Sequence, residues 1–167
     1  MAHKIDLRDS HLPRWRYTVG VKWRLIVAAG YIRPATAGVP TNEKPIVWFS
    51  TNQFYEPTAS KDTIEPDGRL SDLGMMGTHR VFGGLVRIGV LPETAPYDWR
   101  ALKELSGMHP LVAKGLYETA LRDGSRPGEW WGTFDPVGAD DWIAVEAFDG
   151  ERWVAMESDS IRTPGGD

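Results

Sequence analysis

The chain has 167 residues, 41% hydrophobic and 25% charged, an ordinary balance for one globular domain that buries about 70% of its unfolded surface. A formal net charge of −4 excludes a global attraction to nucleic acid or anionic membrane, and the lack of cysteine excludes disulfides, thiolate metal sites and a cysteine nucleophile. No apolar run reaches the roughly 18–20 residues that span a bilayer, and residues 1–9 contain no signal-peptide core, so a cytoplasmic location is expected.

Residues 1–12 read as a polar arm, residues 13–157 as a single domain and residues 158–167 as a disordered tail. Along 14–19 the pattern alternates, placing Trp15, Tyr17 and Val19 on one strand face and Arg14, Arg16 and Thr18 on the other. Gly20 breaks that strand. Residues 21–29 follow as a short helix with Trp23, Ile26 and Val27 on one stripe, Gly30 as its C-cap and Pro34 as a stop. A loop over 35–44 leads through Pro45 into the almost continuously apolar strand 46–50, which such a pattern makes central. Residues 52–80 carry Pro57, Pro66, Gly68, Gly74 and Gly77 without strong periodicity, the pattern of a functional lid or a mobile insertion.

Strand character returns over 81–91, where Gly83-Gly84 signals a bulge or a close backbone approach. Residues 97–105 read as a helix. A second helix opens at His109-Pro110 and closes near Gly124, with Leu111, Val112, Gly115, Leu116, Thr119 and Ala120 at helical spacing. Strands 142–148 and 151–156 flank Asp149-Gly150, a two-residue hairpin signal. That turn pairs Phe148 with Glu151, Ala147 with Arg152 and Glu146 with Trp153. It also puts Ile143, Val145, Val154 and Met156 on one face, and Glu146 with Trp142, Phe148 and Trp153 on the other. Strands and helices interleave without regular βαβ alternation, so the expected class is α+β with a mixed or antiparallel sheet.

The eight tryptophans are spread over nearly every element, as a shared aromatic core requires, and an aromatic-lined cleft is the sharper alternative. Three places carry candidate chemistry. Glu146 among aromatics is a desolvated carboxylate suited to acid–base or cation-stabilising work, against the plainer reading of a half-exposed sheet face. Arg16 offers a fixed fork to phosphate or carboxylate, and Arg87 is a lesser candidate of the same kind. Ser50, Thr51 and Asn52 end a hydrophobic strand, just before a helix start at Glu56-Pro57-Thr58; they either position a neighbouring group or form ordinary Asx and Ser/Thr turns. His3, His11, His79 and His109 are scattered without metal-ligand spacing, so no metal is expected, and no Gly-rich phosphate loop or nucleophile elbow is present. His109 reads as a helix N-cap.

The order Arg16-Tyr17-Thr18, the helix end Ala29-Gly30-Tyr31-Ile32-Arg33-Pro34, and Val47-Trp48-Phe49-Ser50-Thr51-Asn52 resembles the first half of an ADP-ribosyltransferase-like domain. Most of the chain is also similar to small uncharacterised bacterial and phage proteins with a V-W-F-S-T-N-type segment. The first resemblance implies NAD as co-substrate and a protein or nucleic acid as target. It implies that Arg16 holds the pyrophosphate or ribose, Ser50 orients Glu146, and Tyr17 or Trp48 stacks on nicotinamide beside Thr51 and Asn52. Glu146 would then stabilise the positive charge that develops as nicotinamide leaves. Two departures stand against it. Ala144 occupies the position where that family has a second acidic or amide residue, and strand alternation puts Trp48 with Ser50 but Tyr17 opposite Arg16. Glu56 and Asp141 are therefore alternative carboxylates. A non-catalytic module that captures a host protein or nucleotide, using 52–80 as its surface, is the competing reading. A hydrolase using Glu146 with Asp140 or Asp141 is the third.

Overall fold

The computed structural model describes residues 12–157, so the expected polar arm, apart from Leu12, and the tail over 158–167 lie outside the described residues. Among the described residues, eleven strands and four α-helices form an α+β fold around a seven-stranded sheet of order β11-β10-β6-β1-β3-β8-β7, every neighbouring pair antiparallel. Its central strands are β1 (Arg14–Val19), β3 (Val47–Ser50) and β6 (Leu85–Val90). The outer ones are β7 (Tyr97–Asp98), β8 (Trp130–Thr133), β10 (Trp142–Phe148) and β11 (Trp153–Ala155). No helix among the described residues is long and apolar enough to cross a membrane.

One sheet face is covered by α1 (Gly20–Ala29), whose Trp23 packs with Val47, Phe49, Val86, Ile88 and Val145. The helix stops at Gly30, which takes the left-handed conformation (φ 81°) that a Cβ disfavours and returns its N–H to the Ile26 carbonyl. Alternation along β1 sends Trp15, Tyr17 and Val19 to the opposite face, as the sequence predicts, where they meet Tyr55, Leu85 and Phe148. Farther along that face lie α3 (Trp99–Ser106) and α4 (Pro110–Asp123), packed through Trp99, Ala113 and Ala120 onto Trp130 and Trp48. The tryptophans are thus divided over three clusters rather than sharing one core, and Trp15, Trp48 and Trp130 line the cavity described below.

Several expectations change. Residues 52–80, read from the sequence as a lid or a mobile insertion, hold a 3-10 turn (Pro57–Ala59), a small hairpin of β4 (Asp62–Ile64) and β5 (Leu70–Asp72), and most of α2 (Gly74–Val81). Val81 therefore ends a helix. Gly83 and Gly84 adopt positive φ and make the close approach, since a Cβ on Gly20 would lie 1.9 Å from the Gly83 carbonyl oxygen. The helix expected from Tyr97 starts at Trp99, because Asp98 caps it by accepting from Ala101 N–H at 2.9 Å. His109 caps α4 through Nδ1; of the expected stripe Leu116, Thr119 and Ala120 turn inward, joined by Ala113, while Leu111, Val112 and Gly115 face solvent.

The final hairpin has a four-residue connection. Asp149 Oδ1 accepts from the N–H groups of both Glu151 and Arg152, so Phe148 pairs with Trp153, Ala147 with Val154 and Glu146 with Ala155. The two-residue shift preserves the faces near the turn. A bulge between Trp142 and Ala144 reverses them at the other end, where Trp142 joins Trp23 on the α1 face and Ile143 is exposed.

Candidate functional site

β1 and β3 pair at a single register position, Trp15 with Ser50. Beyond it the strands part, and a cavity of about 330 Å³ opens, walled by both strands, by residues 56–61, by α4 and by Trp130. Arg16, Tyr17, Trp48 and Ser50 all line it. Strict alternation had separated Arg16 from Tyr17; the parting of the strands removes that obstacle, since a side chain directed to either face reaches the gap.

Ser50 is buried and donates from Oγ to Glu56 Oε2 at 2.9 Å. Glu56, also buried, caps the 3-10 turn and draws several segments together. Its Oε1 accepts from Thr58 Oγ at 2.7 Å, from Trp130 Nε1 at 3.1 Å and from Ser125 Oγ. Ser125 is brought there by the end of α4, where Gly124 takes φ 84° and Ser125 N–H returns to the Ala120 carbonyl at 2.8 Å. The two carboxylate oxygens are thus unequal. Oε1 is fully engaged, whereas among the described residues Oε2 has Ser50 as its one side-chain donor and retains acceptor capacity on the cavity wall.

Three arginines on the central strands are treated differently. Arg14 lies 3.5 Å over the Trp131 ring and donates to the carbonyls of Pro92 and Ala95. Arg87 sits between Trp15 and Trp153, pairs with Glu146 and donates to the Gln53 carbonyl. Among the described residues Arg16 has one long hydrogen bond, NH1 to the Trp48 carbonyl at 3.4 Å, and its Nε is shut from solvent without a partner. Burial lowers its pKa, and no ion pair among the described residues compensates. A buried guanidinium left in this state matches an anion entering the cavity.

Thr51 and Asn52 are outside the cavity lining. Thr51 N–H donates to the Glu129 carbonyl, and Asn52 Oδ1 accepts from Phe54 and Tyr55 N–H, an Asx turn that steers the chain from Ser50 to Glu56. The turn is clamped from the sheet by Tyr17 Oη on the Asn52 carbonyl, by Trp15 Nε1 on Gln53 Oε1 at 2.8 Å and by Trp153 Nε1 on the Phe54 carbonyl at 2.7 Å. Burial raises the Tyr17 pKa strongly, so its hydroxyl stays a donor.

Glu146 is not among the cavity-lining residues; it is held by Arg87, whose Nε lies 2.7 Å from Glu146 Oε1. Asp140 and Asp141 form a short 3-10 turn before β10 and do not line the cavity either. The carboxylate that joins Arg16 and Ser50 is Glu56. Lys61, Thr58 and Trp130 complete the wall without having been singled out from the sequence. Comparison with protein-family models, with curated proteins and with solved structures found no match.

Proposed function

We propose that the cavity is a nucleotide site and that the chain transfers ADP-ribose from NAD, with Glu56 in the role the sequence suggested for Glu146. The supporting observation is that Arg16, short of partners, and a Ser50-oriented Glu56 line one aromatic-walled cavity. At about 330 Å³ the space lies at the small end of ligand pockets, enough for one nucleotide half with the other half at the mouth. Arg16 holds phosphate, Trp48 or Tyr17 takes the planar ring, and Oε2 of Glu56 faces the ribose. As the nicotinamide leaves with the glycosidic electron pair, that fixed carboxylate stabilises the positive charge left on the sugar. The target nucleophile then bonds to the sugar carbon and gives up its proton.

The test is nicotinamide release by the purified chain, with NAD binding followed separately. Glu56→Gln is expected to lower kcat at least a hundredfold while leaving NAD affinity within a few-fold, because the lost interaction forms in the transition state. Absence of NAD binding by the wild-type chain refutes the reading. The full engagement of Oε1, which makes Glu56 a rigid structural hub, favours a second reading of nucleotide capture without turnover. Binding with no nicotinamide release selects it.

A further inference from the structure

The cationic side of the cavity exceeds what Arg16 alone supplies. Lys61 follows the 3-10 turn and lines the same cavity as Arg16, yet neither belongs to an ion pair among the described residues. Lys61 is half-buried. Its pKa is lowered first by burial and then by the neighbouring charges of Lys22 and Arg16, with Asp62 a weaker opposing charge. The Glu56 carboxylate does not serve them, since its hydrogen-bond partners are Ser50, Thr58, Ser125 and Trp130. Like charges gathered at a partly desolvated wall, with an orphaned Arg16 Nε among them, carry a standing electrostatic cost that an anionic ligand relieves.

We infer that Arg16 and Lys61 form a subsite for a doubly charged phosphate group, the phosphomonoester end of a sugar phosphate or mononucleotide. Arginine supplies a planar fork for two phosphate oxygens, and lysine supplies a mobile point charge for the third. Lys22, exposed on α1, adds to the local positive potential from outside. The rest of the lining suits the remainder of such a molecule: Glu56 Oε2 accepts a sugar hydroxyl, while Trp48, Trp130 and Leu116 cover an apolar or planar part. The inference rests on the proposal that this cavity is the ligand site, but not on NAD or on transfer chemistry.

The experiment is calorimetric titration of the full chain with ribose 5-phosphate, ribose and inorganic phosphate at neutral pH. Ribose 5-phosphate is expected to bind and ribose not to, with inorganic phosphate weaker than the sugar phosphate. Lys61→Gln should weaken ribose 5-phosphate at least tenfold, Lys61→Arg should retain most of the affinity, and Lys22→Gln should cost about threefold. Lys114→Gln, on an exposed position of α4, should change nothing. The exposed part of Lys61 makes its substitution compatible with folding, which an unchanged near-ultraviolet spectrum verifies. Failure of wild-type chain to bind ribose 5-phosphate at about 10 mM, or equal affinity in Lys61→Gln, overturns the inference. Lys61-dependent binding without nicotinamide release refutes the transfer reading alone. Nicotinamide release together with equal ribose 5-phosphate affinity in wild type and Lys61→Gln refutes the subsite alone.

Discussion

Glu56→Ala tests whether this carboxylate organises the cavity. The substitution removes the common acceptor of Ser50, Thr58, Ser125 and Trp130, which belong to β3, the 3-10 turn, the residue after the α4 cap and β8. The bonds from Ser50, Ser125 and Trp130 are fully buried. Hydrogen bonds to a charged acceptor contribute about 1.5–3 kcal/mol each, but hydroxyls re-pair on mutation and the terms do not add. Trp130 Nε1 cannot rotate to a new partner as a hydroxyl can, and the vacated space stays polar. The expected loss is about 3–5 kcal/mol, a large share of the 5–15 kcal/mol typical of a domain. With an m-value of about 2 kcal/mol/M, the urea midpoint falls by roughly 2 M, read from tryptophan fluorescence. Glu56→Gln keeps one acceptor oxygen for the Oε1 cluster and turns an NH2 toward Ser50 Oγ, so its loss should stay near 1–2 kcal/mol. A midpoint shift below about 0.3 M for Glu56→Ala, or equal shifts for the two variants, refutes the role assigned to Glu56.

Gly20→Ala should destabilise by at least about 2 kcal/mol in urea titrations, because its Cβ would meet the Gly83 carbonyl oxygen at 1.9 Å, while Gly115→Ala on exposed α4 surface should not destabilise. Arg87→Ala should cost about 3–5 kcal/mol and shift tryptophan emission, since it strands Glu146 and exposes the facing sides of Trp15 and Trp153. Glu146→Gln should lower the urea midpoint less than Arg87→Ala does; a loss of ligand binding with no loss of stability would instead assign Glu146 to the site. Asp149 should titrate below the usual aspartate range in an NMR pH series, because backbone N–H groups of Arg152 and Glu151 favour its charged form. Its contribution to stability is then present above the unfolded value near 3.9 and is lost as pH falls through the lower folded value.

The elements legible in the sequence are those whose signals are local. Alternation marked β1, Gly30 and Gly124 marked helix ends, and His109-Pro110 marked a helix start, each through backbone preferences acting within a few residues. β8 was missed because Trp130-Trp131-Gly132-Thr133 is short and becomes a strand by pairing with β3 and β7, both distant in the chain. β4 and β5 escaped notice because each has three residues and little burial. The final turn was recognised but its register was not, since Asp149 stabilises a longer connection than Asp-Gly alone suggests. For the site, Arg16 and Ser50 could be nominated from residue type and strand position. The preference for Glu146 over Glu56 rested on its aromatic neighbours in the final hairpin and on chain order, whereas the carboxylate beside Ser50 is fixed by the Asx turn and by contacts from Ser125 and Trp130.

The single register pair between β1 and β3 also bears on how the protein holds together. It divides the ladder into one block of β11, β10, β6 and β1 and another of β3, β8 and β7, with little main-chain bonding across the seam. Cooperative unfolding then depends on side chains that cross it, Arg16 to the Trp48 carbonyl among them. A molecule lodged in the seam acts as a rivet between the blocks. Its binding energy tightens the coupling of two halves of the sheet, and amide exchange along both sides of the gap should slow together when the cavity fills.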